Sequence, residues 1–233
     1  MRLGIMGGTF DPIHYGHLFV AEESRVRFQL SSVMFIPNGL PPHKQGCEVT
    51  PPEDRYAMTE IATASNPYFE CSRIELVRSG PSYTIDTLEW LERERPDADL
   101  VMITGIDAIA EILTWRRHQE VIQRTTFIAA TRPGFDIQYL KDRLPTDYLS
   151  RIATIGSTSL GISSTDIRAR VQAGSPIRYL TPDGVAEYIK EHRLYLSDGS
   201  DMSNPSDVGD PPSAIAASHA VAAGRGQKER TEL

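Results

Sequence analysis

The chain reads as an α/β protein built on a doubly wound, mostly parallel sheet with helices on both faces. Two observations predict this. Along residues 1–196, six short β-branched or apolar runs alternate with helical patterns, the rhythm of strands joined by crossover helices. The first run also stops at Gly7-Gly8, directly before a helical stretch, as at the ligand edge of an open parallel sheet.

The strands are expected at residues 2–6, 32–36, 69–76, 100–104, 126–130 and 151–155. Between them, residues 16–29 place Leu18, Ala21, Arg25 and Phe28 near one helical face. Residues 53–65 follow the start signal Thr50-Pro51-Pro52, and residues 84–94 carry Ile85, Leu88 and Leu91 at a three-residue spacing. Short helices fit 107–113 and 117–123. Ser163, three residues before Asp166, resembles half of a capping box, and Gly174 fits just past the end of that helix. Thr181-Pro182-Asp183 predicts a cap, a proline at the first helical position and an acid in the first turn. The helix that follows turns Val185, Tyr188 and Ile189 inward.

Composition changes near Ser197. From there to Leu233 no aromatic residue occurs, and Ser, Ala, Gly, Asp and Pro dominate. Such a segment buries too little apolar surface to offset its ordering entropy. The expected organisation is a folded unit over 1–196 and a disordered tail over 197–233.

The net charge of −7 argues against a general nucleic-acid coat but allows one basic cleft for a small anion. Two cysteines, Cys47 and Cys71, make no disulfide framework and suit a reducing cytosol. No cationic leader with an apolar core opens the chain, and no stretch approaches a membrane span. The expectation is a cytoplasmic protein that meets neither membrane nor nucleic acid. Homo-oligomerisation stays open.

Chemistry concentrates at the loop ends. Residues 7–17 read Gly-Gly-Thr-Phe-Asp-Pro-Ile-His-Tyr-Gly-His. Glycines let backbone N–H groups approach a ligand, a helix start favours anions, and His14 and His17 add donor nitrogens. The pair could also be a metal pair or ordinary helix-start residues. No Cys/His cluster accompanies it, so a zinc site lacks ligands and a phosphate site is the better reading. Pro41-Pro42-His43-Lys44 presents Lys44 on a stiffened loop after the second strand, either as a ligand cation or as a solvated lysine. The proline and glycine content of residues 38–50 permits closure over a ligand. Ile162-Ser163-Ser164-Thr165-Asp166-Ile167-Arg168 offers hydroxyl, amide and guanidinium donors at a second helix start. Thr84 and Asp107 stand at further helix starts, as caps or as ligand contacts. Trp115 is either core or a stacking platform. No Gly-x-Ser-x-Gly elbow, Walker loop or Gly-x-Gly-x-x-Gly fingerprint is present.

Together, residues 7–17 and 162–168 resemble the two signatures of the HxGH nucleotidyltransferase superfamily. Pro-Pro-His-Lys (41–44), Ser-Tyr-Thr (82–84), Gly-Ile-Asp (105–107), Thr-Trp (114–115) and Arg-Pro-Gly (132–134) fit one branch of it, the bacterial nicotinate-nucleotide adenylyltransferases. The resemblance spans 1–196. It implies a Rossmann-like fold and a reaction of ATP with nicotinate mononucleotide giving deamido-NAD and pyrophosphate. By position, it implies that His14, His17, Lys44 and Arg168 hold the ATP phosphates, with Ser163 and Ser164 adding donors. Gly8, Thr9 and Phe10 would bring backbone groups to the phosphates. Asp107 would hold the ribose, Arg132 and Pro133 would lie against adenine, and Thr84 and Trp115 would receive the nicotinate ring. Mg²⁺ would be bound mainly through the ATP phosphates, with no resident metal site. One position departs: many relatives carry an aromatic residue after the tryptophan, and this chain has Arg116. Related adenylyltransferases that take nicotinamide mononucleotide or phosphopantetheine, and a non-catalytic nucleotide sensor, are the alternatives.

Overall fold

A computed structural model describes residues 1–41, 49–131, 137–156 and 161–196. The segment 197–233, expected as a disordered tail, lies outside the described residues, as do Lys44, Arg132, Pro133 and residues 42–48 of the expected closing loop. Six strands form one sheet: β1 (Arg2–Gly8), β2 (Ser32–Pro37), β3 (Phe69–Cys71), β4 (Asp99–Gly105), β5 (Thr126–Thr131) and β6 (Ile152–Gly156), in the order β3-β2-β1-β4-β5-β6. Every pairing is parallel, so the sheet is more regular than the mostly parallel one expected.

The helices are α1 (Tyr15–Arg27), α2 (Pro52–Thr63), α3 (Ile74–Val77), α4 (Thr84–Glu94), α5 (Ile106–Ala110), α6 (His118–Arg124), α7 (Ile137–Lys141), α8 (Thr146–Leu149), α9 (Ser164–Gln172) and α10 (Asp183–Glu191). A 3-10 turn spans Ile112–Thr114. Alternate side chains of each central strand enter opposite cores, as a pleated strand requires. Val33 and Phe35 of β2, with Val101 and Ile103 of β4, face Ala21 of α1, Met58 of α2 and Val185 and Ile189 of α10. Met34 and Ile36, with Leu100 and Met102, face Ile85, Leu88 and Leu91 of α4 and Val121 of α6. The doubly wound architecture expected from the alternation is therefore present, and the chain reverses direction across the sheet between β1 and β4. In open parallel sheets that crevice, at the carboxyl ends of the strands, is where ligands bind.

Two local expectations change. Residues 69–76 were expected as one strand, but pairing stops at Cys71 and α3 follows. The Ser72 hydroxyl lies 3.4 Å from the Ile74 N–H, and the buried Glu75 carboxylate accepts from Asn38 Nδ2 at 2.8 Å and Thr87 Oγ1 at 2.6 Å. A carboxylate with these partners turns the chain inward where a longer strand would leave it unpaired. Thr181 does not cap α10. Its buried hydroxyl donates to the Ile13 carbonyl at 2.8 Å, and Pro182 takes the cap position. The proline stays at the helix start, one position earlier than expected, with Asp183 in the first turn. By contrast Ser163 caps α9 as expected, accepting from the Asp166 N–H at 3.1 Å, and Gly174 follows with φ +67°.

Candidate active site

The site begins where β1 ends. Gly7 and Gly8 close the strand, and the chain turns through Phe10 in the left-handed region, φ 49°, before α1. A non-glycine residue there costs energy that its surroundings must offset. The Phe10 ring is buried, 5.9 Å from Phe35 and edge-on to His17 at 5.1 Å. It also lies against Gly8, where a Cβ would meet it at 3.0 Å. Sequence reasoning gave Gly8 and Phe10 to the ligand. The structure makes their side-chain positions a packing pair, leaving only their backbone groups for a ligand. Gly7, read from the sequence with Gly8 as the glycine turn, has open space where a Cβ would stand and lines the adjoining cavity.

His14 takes the cap position of α1 with extended backbone. Its ring stacks on His17 at 3.8 Å and 23°. The His14 N–H donates to His17 Nδ1 at 3.3 Å, so the proton of a neutral His17 sits on Nε2 and remains available as a donor. Burial holds the His14 imidazole down at about 4. Burial, and next the neighbouring His14, hold His17 well below its ordinary range. Both rings are neutral at pH 7, and a bound anion would favour their protonated forms. His14 Nδ1 is buried and has no hydrogen-bond partner among the described residues. Gly16 leaves room for this stack, because a Cβ there would stand 3.0 Å from His14 Nδ1 and Cε1 and the ring would have to shift.

The second helix start reaches the same loop. Arg168 Nη1 donates to the Asp11 carbonyl at 2.7 Å, and the Ser164 hydroxyl donates to the Pro12 carbonyl at 2.9 Å. The Ser163 hydroxyl accepts the cap bond described above. Thus Ser163 caps its own helix and Ser164 ties that helix to the loop, which brings the α9 start and its donors beside it. His14, His17 and Arg168 belong to one corner of the molecule.

Beside this corner a cavity of about 620 Å³ opens over the ends of β1, β2 and β4. Thr9, Thr84, Asp107 and Trp115 line it, as do Arg116 and Glu111. Trp115 is half-buried and stands edge-on to Phe127 at 6.3 Å, so it is neither wholly core nor free of it. The expected ribose and ring contacts therefore gather in one cavity, with Thr9 joining it to the histidine corner.

Two structural residues escaped sequence reasoning. Arg55, 1% exposed, donates to the carbonyls of Thr9 (2.8 Å), Thr50 (2.8 Å) and Gly39 (3.3 Å). Asp11 is buried and accepts from the Tyr195 hydroxyl at 2.8 Å. Neither stands in a local motif whose spacing announces a contact 46 or 184 residues away. Cys71 has a free thiol whose pKa burial pushes up to about 12, which makes it a poor nucleophile. No helix of the described residues is long and apolar enough to cross a membrane.

A fully parallel sheet, a switch-point cavity and paired helix starts with basic side chains make the arrangement in which open α/β sheets bind phosphate-bearing ligands. The cytidylyltransferase-like family model matches residues 5–170. The "probable nicotinate-nucleotide adenylyltransferase" of Moorella thermoacetica is 54% identical over 198 residues, covering 83% of this chain and 91% of the relative. That of Corynebacterium kroppenstedtii is 50% identical, covering 85% and 92%. The solved Plasmodium falciparum nicotinic acid mononucleotide adenylyltransferase complexed with NaAD shares the fold at a TM-score of 0.69 and 21% identity, over 83% of this chain and 97% of that one. The chain belongs to the cytidylyltransferase-like family and, within it, to the family of these nicotinate-nucleotide adenylyltransferases.

Proposed function

We propose that this protein is an enzyme that transfers the adenylyl group of ATP to nicotinate mononucleotide, giving deamido-NAD and pyrophosphate. One observation carries the reading: two helix starts that bear His14, His17 and Arg168 are tied to one loop, beside a cavity large enough for a nucleotide. Relatives at 50% identity or more carry this activity in their names.

The mononucleotide phosphate is already an anionic nucleophile, so the reaction needs no general base. Its oxygen attacks the α-phosphorus of ATP in line, the bond to the bridging oxygen breaks, and pyrophosphate leaves with the electron pair. The protein's part is positioning and neutralisation of charge on the leaving oxygens. His17 would donate from Nε2, Arg168 from its guanidinium, and His14 would gain charge as the anion binds. Lys44 would add a cation, and Gly8, Thr9 and Phe10 their backbone groups. Ser163 and Ser164 would support the α9 start, Asp107 would accept from the ribose, and Arg132 and Pro133 would border adenine. Thr84 and Trp115 would hold the nicotinate ring by hydrogen bonding and stacking. Mg²⁺ would neutralise the triphosphate. Such an ion would be held mainly by phosphate and water. The chain would then grip that ion only through the phosphates it binds.

Incubating the full chain with ATP and, separately, nicotinate mononucleotide, nicotinamide mononucleotide and phosphopantetheine tests this. Pyrophosphate and deamido-NAD should form fastest with the first. Faster turnover with another acceptor would reassign the substrate, and nucleotide binding without pyrophosphate release would make the chain a sensor.

A further inference from the structure

The cavity carries an uneven charge. Glu75, Asp107 and Glu111 line it, and Arg116 is the one cation among the described residues that do. The Glu75 carboxylate is occupied by Asn38 and Thr87. Both rings carry a pyridinium nitrogen, so the amide ring is a cation that such a space favours, whereas the acid ring adds a carboxylate that is repelled unless a cation meets it. Arg116 adjoins Trp115, and its guanidinium carbon lies 4.8 Å over the ring of Tyr83, the residue before Thr84. Its ion pair is loose, with Nη1 3.9 Å from Asp86 Oδ2. The next residue offers a contrast. Arg117 is held by Glu89 at 2.9 Å and Glu120 at 2.5 Å, so its charge is committed. Arg116 thus brings a steered, incompletely paired fork of donors to the side of the cavity where Thr84 and Trp115 stand.

We propose that Arg116 selects a pyridine-3-carboxylate mononucleotide over the corresponding amide by pairing with the ring carboxylate. This rests on the adenylyl-transfer reading above and extends it to a residue at which the chain departs from the pattern of its resemblance. The acid and amide substrates share ribose and phosphate and differ only at the ring substituent, so the ratio of their kcat/KM values isolates the contact.

The test compares the unsubstituted full chain with Arg116→Gln and Arg116→Lys, using ATP with nicotinate mononucleotide or nicotinamide mononucleotide. Arg116→Gln should lower kcat/KM for the acid about tenfold, mainly through KM, while the amide stays within about twofold. The KM for ATP should not move, and Arg116→Lys should keep part of the preference. An unchanged acid-to-amide ratio overturns the proposal. Equal loss for both substrates also overturns it, since that marks a contact with the shared phosphate or a loss of fold. No turnover of either substrate by the unsubstituted chain is a separate outcome, which removes the adenylyl-transfer reading and this proposal with it.

Discussion

The histidine corner and the neighbouring cavity are built differently. In the corner, short bonds run from one chain segment to another: Arg168 to Asp11, Ser164 to Pro12, Arg55 to Thr9, Thr181 to Ile13. The cavity gathers Thr84, Asp107, Trp115 and Arg116 from the β-α connections on the carboxyl side of the sheet, and Arg116 holds its partner only at 3.9 Å. Transition-state stabilisation needs donors fixed before the reaction starts, so their supports are internal. Substrate choice can rest on side chains that change without disturbing the sheet. On this argument, substitutions in the corner should affect turnover or stability, and those in the cavity should affect binding.

The largest expected effect tests the corner directly. His17→Ala should lower turnover roughly a thousandfold while both Michaelis constants stay within a few fold. A change confined to KM would instead make His17 an ordinary binding residue. Next comes Arg55→Met, which leaves three half-buried carbonyls without their donor. Urea unfolding should show a loss of roughly 3 kcal/mol. A loss below about 1 kcal/mol would mean that the loop does not need this support.

The buried imidazoles also predict a pH response. Unfolded His14 takes up a proton below its ordinary value of 6.5, whereas the folded residue stays neutral down to about 4. The unfolded state therefore binds more protons in that window, and stability falls as pH drops from 6.5 towards 4. This one residue accounts for up to about 1.4 kcal/mol per pH unit. Unfolding curves at pH 7, 6 and 5 should be flatter against pH in His14→Gln, and identical slopes would contradict the burial argument.

Two smaller effects sharpen the contrast. Gly16→Ala should shift the His14 ring and reduce turnover about tenfold, with the melting temperature nearly unchanged because alanine suits a helix start. Full activity would show that the stack yields freely. Trp115→Ala should raise the KM for the mononucleotide about tenfold and leave turnover largely intact. A fall in kcat without a KM effect would move Trp115 from recognition to catalysis.

Much of this was legible in the residues. The six strands follow from short apolar runs, and the helical faces of α4 and α10 follow from Ile85-Leu88-Leu91 and Val185-Ile189, all of which are buried. The paired helix starts were legible because glycine, histidine and serine at a strand-to-helix turn have few other uses. What stayed hidden depends on partners distant in sequence. The buried Glu75 is invisible until Asn38 and Thr87 are brought to it, so the third strand read too long. Thr181 looked like a cap because local spacing cannot show that the Ile13 carbonyl needs its proton more. Arg55 carries no local signal for its three carbonyl partners, and the short helices α7 and α8 have too few turns to display a period.

The Tyr195 hydroxyl meets Asp11 across 184 positions, and Arg168 meets the same residue across 157. During synthesis the amino-terminal strands leave the ribosome long before these partners exist. A nascent chain can assemble its early sheet while the loop after β1 still lacks both of its distal fastenings. Competence for chemistry then arrives late, when α9 and Tyr195 close over a loop translated long before them.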